Sequence, residues 1–139
     1  MSEKYKVSNQ DSLYFVTFSV VQWVDLFTRP VYNDILVDNL KYCQKNKGLE
    51  IYAWCIMTNH IHLIVGRDGN NEIQNIIRDY KKYTSVKLVR EVEDSICESR
   101  QSWLLKIFSE AAEKSSKHQK YKIWQSDYHP IELFDNSIM

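Results

Sequence analysis

Residues 51–66 read IYAWCIMTNHIHLIVG, and this stretch predicts a β-hairpin. Two apolar runs of strand length, rich in β-branched and aromatic residues, flank the polar step Thr58-Asn59. We therefore place a tight turn at residues 57–60. Side chains alternate between the two faces of a strand, so every second residue of the second run should point into the core. Those core-facing residues are Ile61, Leu63 and Val65.

The opposite face of the same strand carries two histidines, His60 and His62, together with Ile64. Two imidazoles two residues apart on one strand lie side by side, with ring nitrogens close enough to share one metal ion. The alternative is a pair of ordinary polar residues on a half-exposed sheet, since the chain contains four histidines. No third ligand is visible in this stretch, and two protein ligands make a weak metal site.

The composition is that of one globular domain. The chain has 139 residues, 44% of them hydrophobic, with only three glycines and two prolines, which argues against linkers. No apolar run reaches the length of a membrane span, and the polar N-terminus lacks a signal-peptide core, so we expect a cytoplasmic protein that does not bind membranes. Three cysteines without CxxC spacing fit reduced thiols. The net charge is zero, which disfavours nucleic-acid binding by the whole surface but leaves room for a local basic patch.

The remaining patterns predict an alternation of strands and helices. The predicted elements are a strand at 13–21, a helix capped by Thr28 that ends at Gly48, the hairpin, a long helix starting at Asn70 or Asn71, a helix capped by Ser102, a fourth strand at 121–125, and an extension of the sheet at 131–134. This order predicts an α+β fold of the ferredoxin-like split βαβ type, with an antiparallel sheet and helices on one face.

Two segments are locally basic. Arg78, Lys81 and Lys82 fall on one face of the long helix, and residues 114–122 include Lys120 and Lys122. A solvated helix surface is one interpretation, and a face that contacts phosphates is the other. Trp23 and Trp124 are the aromatic residues that could stack on bases. For both of them we expect packing inside the protein instead.

The run MTNHIHLIV resembles the His-hydrophobic-His motif of the HUH endonucleases, and is most similar to that of the bacterial single-tyrosine transposases and the REP-associated tyrosine transposases. The N-terminal strand and loop, the helix segment IIRDYKKYTS and the segment YKIWQSDYHPIEL resemble the same family in the same order. The resemblance covers nearly the whole chain.

This resemblance implies a DNA transposase that nicks and joins single-stranded DNA and binds DNA hairpins. It implies that His60 and His62, with a third polar ligand, hold Mg²⁺ or Mn²⁺, and that the metal polarises the scissile phosphodiester. It also implies that a tyrosine attacks, which leaves a 5′-phosphotyrosine and a free 3′-OH. Arg78, Lys81, Lys82, Lys120 and Lys122 are the predicted DNA contacts. Members of the family are monomers or homodimers, so both states stay open.

The nucleophile is the point at which this sequence departs from the family. The family carries its tyrosine in a Tyr-Ile-x-x-Asn-Pro run on a helix after the Trp-Gln strand, and no such run occurs here. We therefore expect residues 1–139 to be a single nuclease domain without that helix. Tyr128 is the candidate substitute, whereas Tyr80 and Tyr83 should pack. Three hypotheses follow: a truncated transposase, a non-catalytic module that binds DNA hairpins, and a metal hydrolase that uses an activated water.

Overall fold

The computed structural model describes residues 6–133 and shows a four-stranded sheet with three helices. The strands lie in the order β2-β3-β1-β4, and all neighbouring pairs are antiparallel. Strands β1 and β2 are thus separated by β3, and β3 and β4 by β1, which is the split βαβ arrangement. The predicted α+β fold is confirmed. The elements are β1 (Leu13–Ser19), α1 (Pro30–Lys47), β2 (Leu49–Ile56), β3 (His60–Arg67), α2 (Ile73–Asp94), α3 (Gln101–Glu113) and β4 (Ile131–Leu133).

The central hairpin forms as the sequence predicts. The backbone N–H of Met57 donates to the carbonyl of His60 at 2.8 Å, which closes a turn with Thr58 and Asn59 at its tip. Strand β1 pairs with the edge of β3 that faces away from β2, so that Thr17 lies opposite His62. The two histidines therefore come from a central strand, whose position is fixed by a neighbour on each side.

The two faces of the sheet differ in burial. Residues Ile61, Leu63 and Val65 of β3 are at most 2% exposed and pack with α1 and α2, as their alternation predicted. Every second residue of β1 joins them, and the ring of Phe18 lies against Tyr80 of α2. The opposite face is half-buried, and we call it the open face. It carries Phe15, Thr17, His60, His62 and Ile64.

Three predictions about helix-capping residues are wrong. Helix α1 starts with Pro30 after Arg29, α2 starts after Glu72, and no side chain caps either helix. The predicted caps are used in tertiary contacts instead, since Thr28 Oγ1 accepts from Arg100 at 3.2 Å and Asn71 donates to the Lys47 carbonyl at 3.1 Å.

The third helix also differs, because α3 starts at Gln101 and already includes Ser102. Gly48, by contrast, ends α1 as predicted, at φ 78°. A Cβ at this position would lie 1.9 Å from the carbonyl oxygen of Asp68, so only glycine fits there.

The fourth strand predicted at residues 121–125 is wrong. This segment makes a single bridge, Val20 with Trp124, and its other backbone bonds form no continuous ladder. Lys122 N–H donates to the Phe108 carbonyl at 3.0 Å, and Ile123 accepts from Val21 at 2.8 Å. The segment therefore bridges α3 and the end of β1 instead of adding a ladder. The short β4 pairs with β1 in its place, and Phe134 lies outside the described residues.

None of the helices within residues 6–133 is long and apolar enough to cross a membrane.

Candidate functional sites: a histidine pair and a basic groove

The histidine pair lies on the open face near the start of β3. The ring centroids of His60 and His62 are 4.6 Å apart, at an interplanar angle of 73°. Both residues are half-buried, so the rings are held by neighbours and still reach solvent. Period-two spacing on a regular strand is sufficient to produce this arrangement.

Each imidazole is oriented through its Nδ1 atom. Nδ1 of His60 lies 2.6 Å from Asn59 Oδ1, and Nδ1 of His62 lies 3.0 Å from Thr17 Oγ1. The ring of Phe15 also stacks on His62, with centroids 5.3 Å apart. Hydrogen bonding through Nδ1 leaves Nε2 as the nitrogen that could bind a metal ion, an arrangement typical of metal-binding histidines.

The protonation of His62 suits a metal ligand. Burial lowers its pKa below the usual range, and the neighbouring His60 lowers it further. Both effects favour the neutral imidazole, which is the form in which histidine binds a metal ion.

Two side chains of a metal-ligating type lie at this position among the described residues. Within residues 6–133 no three His, Cys, Asp or Glu side chains lie close enough together to hold a metal ion. Cys55 is the cross-strand neighbour of His62, but its thiol lies 3.6 Å from the sulfur of Met57. Two imidazole donors would fit part of a metal centre, and oxygen ligands such as water would have to complete it.

A basic groove lies elsewhere, between α2 and residues 115–128, with a volume of about 930 Å³. Six Lys and Arg side chains line it against two carboxylates, an excess of four positive charges on a chain whose net charge is zero. The six are Arg78, Lys81, Lys82, Arg90, Lys117 and Lys122. The fold thus gathers four of the five predicted DNA contacts. The fifth, Lys120, is outside the lining and places its ammonium 5.3 Å from the ring centroid of Tyr121.

Lys81 differs from the other lysines of the groove because it is committed to backbone oxygens. Its Nζ donates to the carbonyls of Gln125 at 2.9 Å and Ser126 at 3.3 Å. Burial, and then the charges of Lys122 and Lys117, lower its pKa to about 8. Lys81 therefore tethers the groove wall to α2.

Tyr128 lies on the other side of the sheet from the histidines. Its ring packs against Phe18, a core-facing residue, with centroids 6.2 Å apart, and Lys81 Nζ lies 5.8 Å from its ring centroid. Burial, and then the charge of Asp127, raise the pKa of its phenol. A tyrosine in this position is neither next to the histidine pair nor activated as a nucleophile. Tyr80 is buried, as predicted.

The two tryptophans have opposite environments. Trp124 is 3% exposed and donates its indole N–H to Thr84 Oγ1 at 2.9 Å, so the packing predicted for it is confirmed. The packing predicted for Trp23 is wrong, because its side chain is 57% exposed. Gln22 and Trp23 have φ values of 56° and 55°, and this backbone conformation turns the indole outward. Neither position is a glycine, so the sequence gives no sign of this left-handed conformation.

Sequence reasoning also missed several supporting residues. Asn59 and Thr17 orient the histidines, but neither belongs to the His-hydrophobic-His pattern. Arg90 joins the groove from a position that was not predicted, whereas Lys117 belongs to the predicted basic segment 114–122. The i, i+4 row of α2 that runs from Arg78 through Lys82 and Val86 reaches Arg90, and this spacing could have signalled Arg90.

Comparisons with known proteins agree with this architecture. The family described as "Transposase IS200 like" matches residues 11–104. The solved structure of a REP-associated tyrosine transposase bound to a REP hairpin aligns with a TM-score of 0.61 and 17% identity, over 99% of this chain and 66% of that chain. A putative transposase from Deinococcus radiodurans aligns with a TM-score of 0.50 and 19% identity, over 64% of this chain and 68% of that chain. No curated protein sequence matches.

The two structural similarities concern the fold, since both identities are below 20%. The family match covers most of the chain and includes both histidines. The chain therefore belongs to the IS200-like transposase family.

Proposed function

We propose that this protein binds folded single-stranded DNA, in the form of a hairpin with an unpaired flank, and acts on it as a metal-dependent nicking and joining enzyme. The observation that carries the proposal is the pair of imidazoles on the open face, 4.6 Å apart and each oriented through Nδ1. Membership of the transposase family supports the reaction class, and the hairpin bound to one structural relative supports the type of DNA.

The basic groove is the proposed phosphate-binding surface. Arg78, Lys82 and Lys117 are exposed along it and Lys122 is half-buried, so phosphates can replace water and counterions beside their charges. Lys81 contributes indirectly, because its two carbonyl contacts fix the position of residues 125 and 126.

Lys120 has a smaller part in this proposal. Its ammonium lies over the ring of Tyr121 and outside the groove lining, so it is a peripheral DNA contact at most.

The histidine pair is the proposed metal site. His60 and His62 would hold Mg²⁺ or Mn²⁺ through Nε2, and imidazole donors favour Mn²⁺ of these two ions. Such an ion would polarise a phosphodiester and stabilise the charge that develops on it. Asn59 and Thr17 keep the two rings in the ligating orientation, and Phe15 fixes the ring of His62 from one side. Their role is to hold the site ready before DNA arrives.

A second candidate function is hairpin binding without cleavage. It is favoured by the position of Tyr128, whose ring lies on the helix side of the sheet while the histidines lie on the open face. No third His, Cys, Asp or Glu joins the pair within residues 6–133. Both features leave the basic groove unaffected, so binding does not depend on them.

Binding is tested by a salt series on a DNA hairpin with a single-stranded flank and on a plain duplex. We expect tighter binding of the flanked hairpin. Lys82→Ala and Lys117→Ala should each reduce the slope of log affinity against log salt by about 0.7 to 0.9. Lys106→Ala, an exposed lysine of α3 outside the groove, is the matched control. Unchanged slopes for both groove variants would contradict the assignment of the groove.

Cleavage is tested by incubating the protein with the flanked hairpin and Mn²⁺, followed by a denaturing gel. A covalent protein–DNA adduct that is lost in His60→Ala supports the transposase reaction, and its loss in Tyr128→Phe would identify Tyr128 as the nucleophile. A nick without an adduct indicates an activated water instead. Binding with neither adduct nor nick establishes the non-catalytic module.

A further inference from the structure

We propose that Trp23 is a stacking platform for an unpaired base of the DNA strand that approaches the histidine pair. The inference rests on the proposed DNA-binding function and adds a residue to it. It concerns the single DNA strand that approaches the histidines, and it is separate from the phosphate contacts of the basic groove.

The indole of Trp23 lies directly beside the pair. Its ring centroid is 6.2 Å from that of His60, and the two planes meet edge to face at 76°. More than half of the side chain, 57%, is exposed to solvent. An indole in this position offers a flat apolar surface next to the nitrogen atoms that are proposed to hold the metal ion.

Trp23 is connected to His60 through a single residue. The side-chain amide of Asn59 donates through Nδ2 to the Trp23 carbonyl at 3.2 Å, and its Oδ1 lies 2.6 Å from Nδ1 of His60. Asn59 thus sets the position of the tryptophan backbone and the orientation of the imidazole together. A base stacked on the indole would stand at a fixed place relative to the metal-binding nitrogen.

The backbone around Trp23 is strained, and the strain is maintained by its surroundings. Gln22 and Trp23 are consecutive non-glycine residues in the left-handed region. The loop is held on both sides, since Val21 N–H donates to the Ile123 carbonyl and Phe27 N–H to the Thr58 carbonyl, each at 2.8 Å. A strained conformation that exposes a large aromatic ring beside a reactive pair is more typical of a binding site than of a packed loop.

The occupant is argued from chemistry. A nucleobase is a flat π-system linked through its sugar to a phosphate. It can therefore stack on the indole while its phosphate lies near the proposed metal site at the histidine pair. Bases in a duplex are stacked on each other and cannot reach the indole, so the ligand is an unpaired nucleotide of the flank. The positive groove on the same molecule supplies the phosphate contacts that a hairpin stem needs.

The test compares three DNA ligands: a hairpin with a single-stranded flank, the same hairpin with abasic sites in the flank, and the blunt hairpin. Affinities are measured without metal for the full chain, Trp23→Ala, Trp23→Phe and Trp103→Ala. Trp103, which is 53% exposed on α3, is the matched control for losing a surface indole. Thermal unfolding of each variant checks that the fold is intact.

We expect Trp23→Ala to weaken binding of the flanked hairpin about 5- to 150-fold, the range that corresponds to one base–aromatic stack. Binding of the blunt hairpin should stay the same, and Trp23→Phe should keep most of the affinity. For the wild-type chain, abasic sites in the flank should weaken binding as much as Trp23→Ala does. In Trp23→Ala, the same abasic sites should have no further effect.

Two results overturn the inference in distinguishable ways. A wild-type chain that binds the flanked hairpin but is indifferent to abasic sites has no base stacked on Trp23, even if Trp23→Ala were to fold poorly. A wild-type chain that binds none of the three DNAs overturns the proposed function, and the stacking inference with it.

Discussion

Replacing Glu98 with glutamine should remove a large part of the stability of this fold. The Glu98 side chain is 1% exposed and lies in the connection between α2 and α3. It accepts from Arg100 Nη2 at 2.9 Å and Nε at 3.1 Å, and from the Tyr32 hydroxyl at 2.8 Å, while Arg29 Nε lies 3.6 Å away. We call these four residues the Glu98 clasp. Because Arg100 also donates to the Asp25 carbonyl, the clasp joins the α2–α3 connection to the loop after β1.

The magnitude follows from the ionisation of the carboxylate. The hydrogen bonds from Arg100 are the largest cause that lowers the pKa of Glu98, from 4.5 to about 2, against an opposing effect of burial. A depression of this size corresponds to about 3 kcal/mol of folding free energy at neutral pH. Glutamine keeps an acceptor for Tyr32 but removes the charge that Arg100 and Arg29 face, so most of this energy should be lost.

The pH dependence has a defined sign. The pKa is depressed in the folded state, so the contribution of Glu98 is fully present above the unfolded value of 4.5 and is lost as pH falls toward about 2. Urea unfolding of wild type and Glu98→Gln should therefore show a gap of about 3 kcal/mol near pH 7 that narrows steadily between about pH 5 and pH 2. Glu113→Gln, at an exposed position in the last turn of α3, is the matched control and should change stability by less than about 0.5 kcal/mol.

Two results would refute this reasoning. One is a free energy of unfolding for Glu98→Gln within about 1 kcal/mol of wild type near neutral pH. The other is a gap between the two proteins that stays constant as the pH is lowered through the acid range, because a constant gap would come from packing and not from the charge.

Further substitutions test other parts of the structure. Gln22→Gly should raise the free energy of unfolding by about 0.5 to 1 kcal/mol by relieving a left-handed conformation, and a loss of stability in urea would contradict the strained loop. Gly48→Ala should lower it by more than about 2 kcal/mol, because a Cβ meets the Asp68 carbonyl, and a neutral effect would show that the chain adapts there. Thr17→Val should weaken Mn²⁺ binding about 10- to 100-fold by releasing Nδ1 of His62, measured by calorimetry, whereas Thr17→Ser should bind like wild type.

Features of the structure that depend on residues close together in the sequence could be predicted well. Alternation in one strand was enough to place the histidines on one face and Ile61 in the core, because side-chain direction in a strand follows from position alone. Gly48 marked the end of α1, since its left-handed conformation is accessible to glycine. Capping was less predictable. Thr28 is a good helix cap by type, but it contacts Arg100, which is 72 positions away in the chain.

The candidate sites show the same difference between features that depend on local sequence and features that depend on long-range contacts. The sequence by itself determined the fold class, the hairpin and the histidine pair, because each depends on the local period of apolar residues or on the family motif. Only the tertiary structure decided that Tyr128 lies across the sheet from the histidines, that Trp23 is exposed beside them, and that residues 115–128 close a basic groove over α2. These features depend on contacts such as that of Lys81 with the Gln125 carbonyl, 44 positions apart. Contacts at that separation form only when the whole chain has packed, and no local pattern of residue types specifies them.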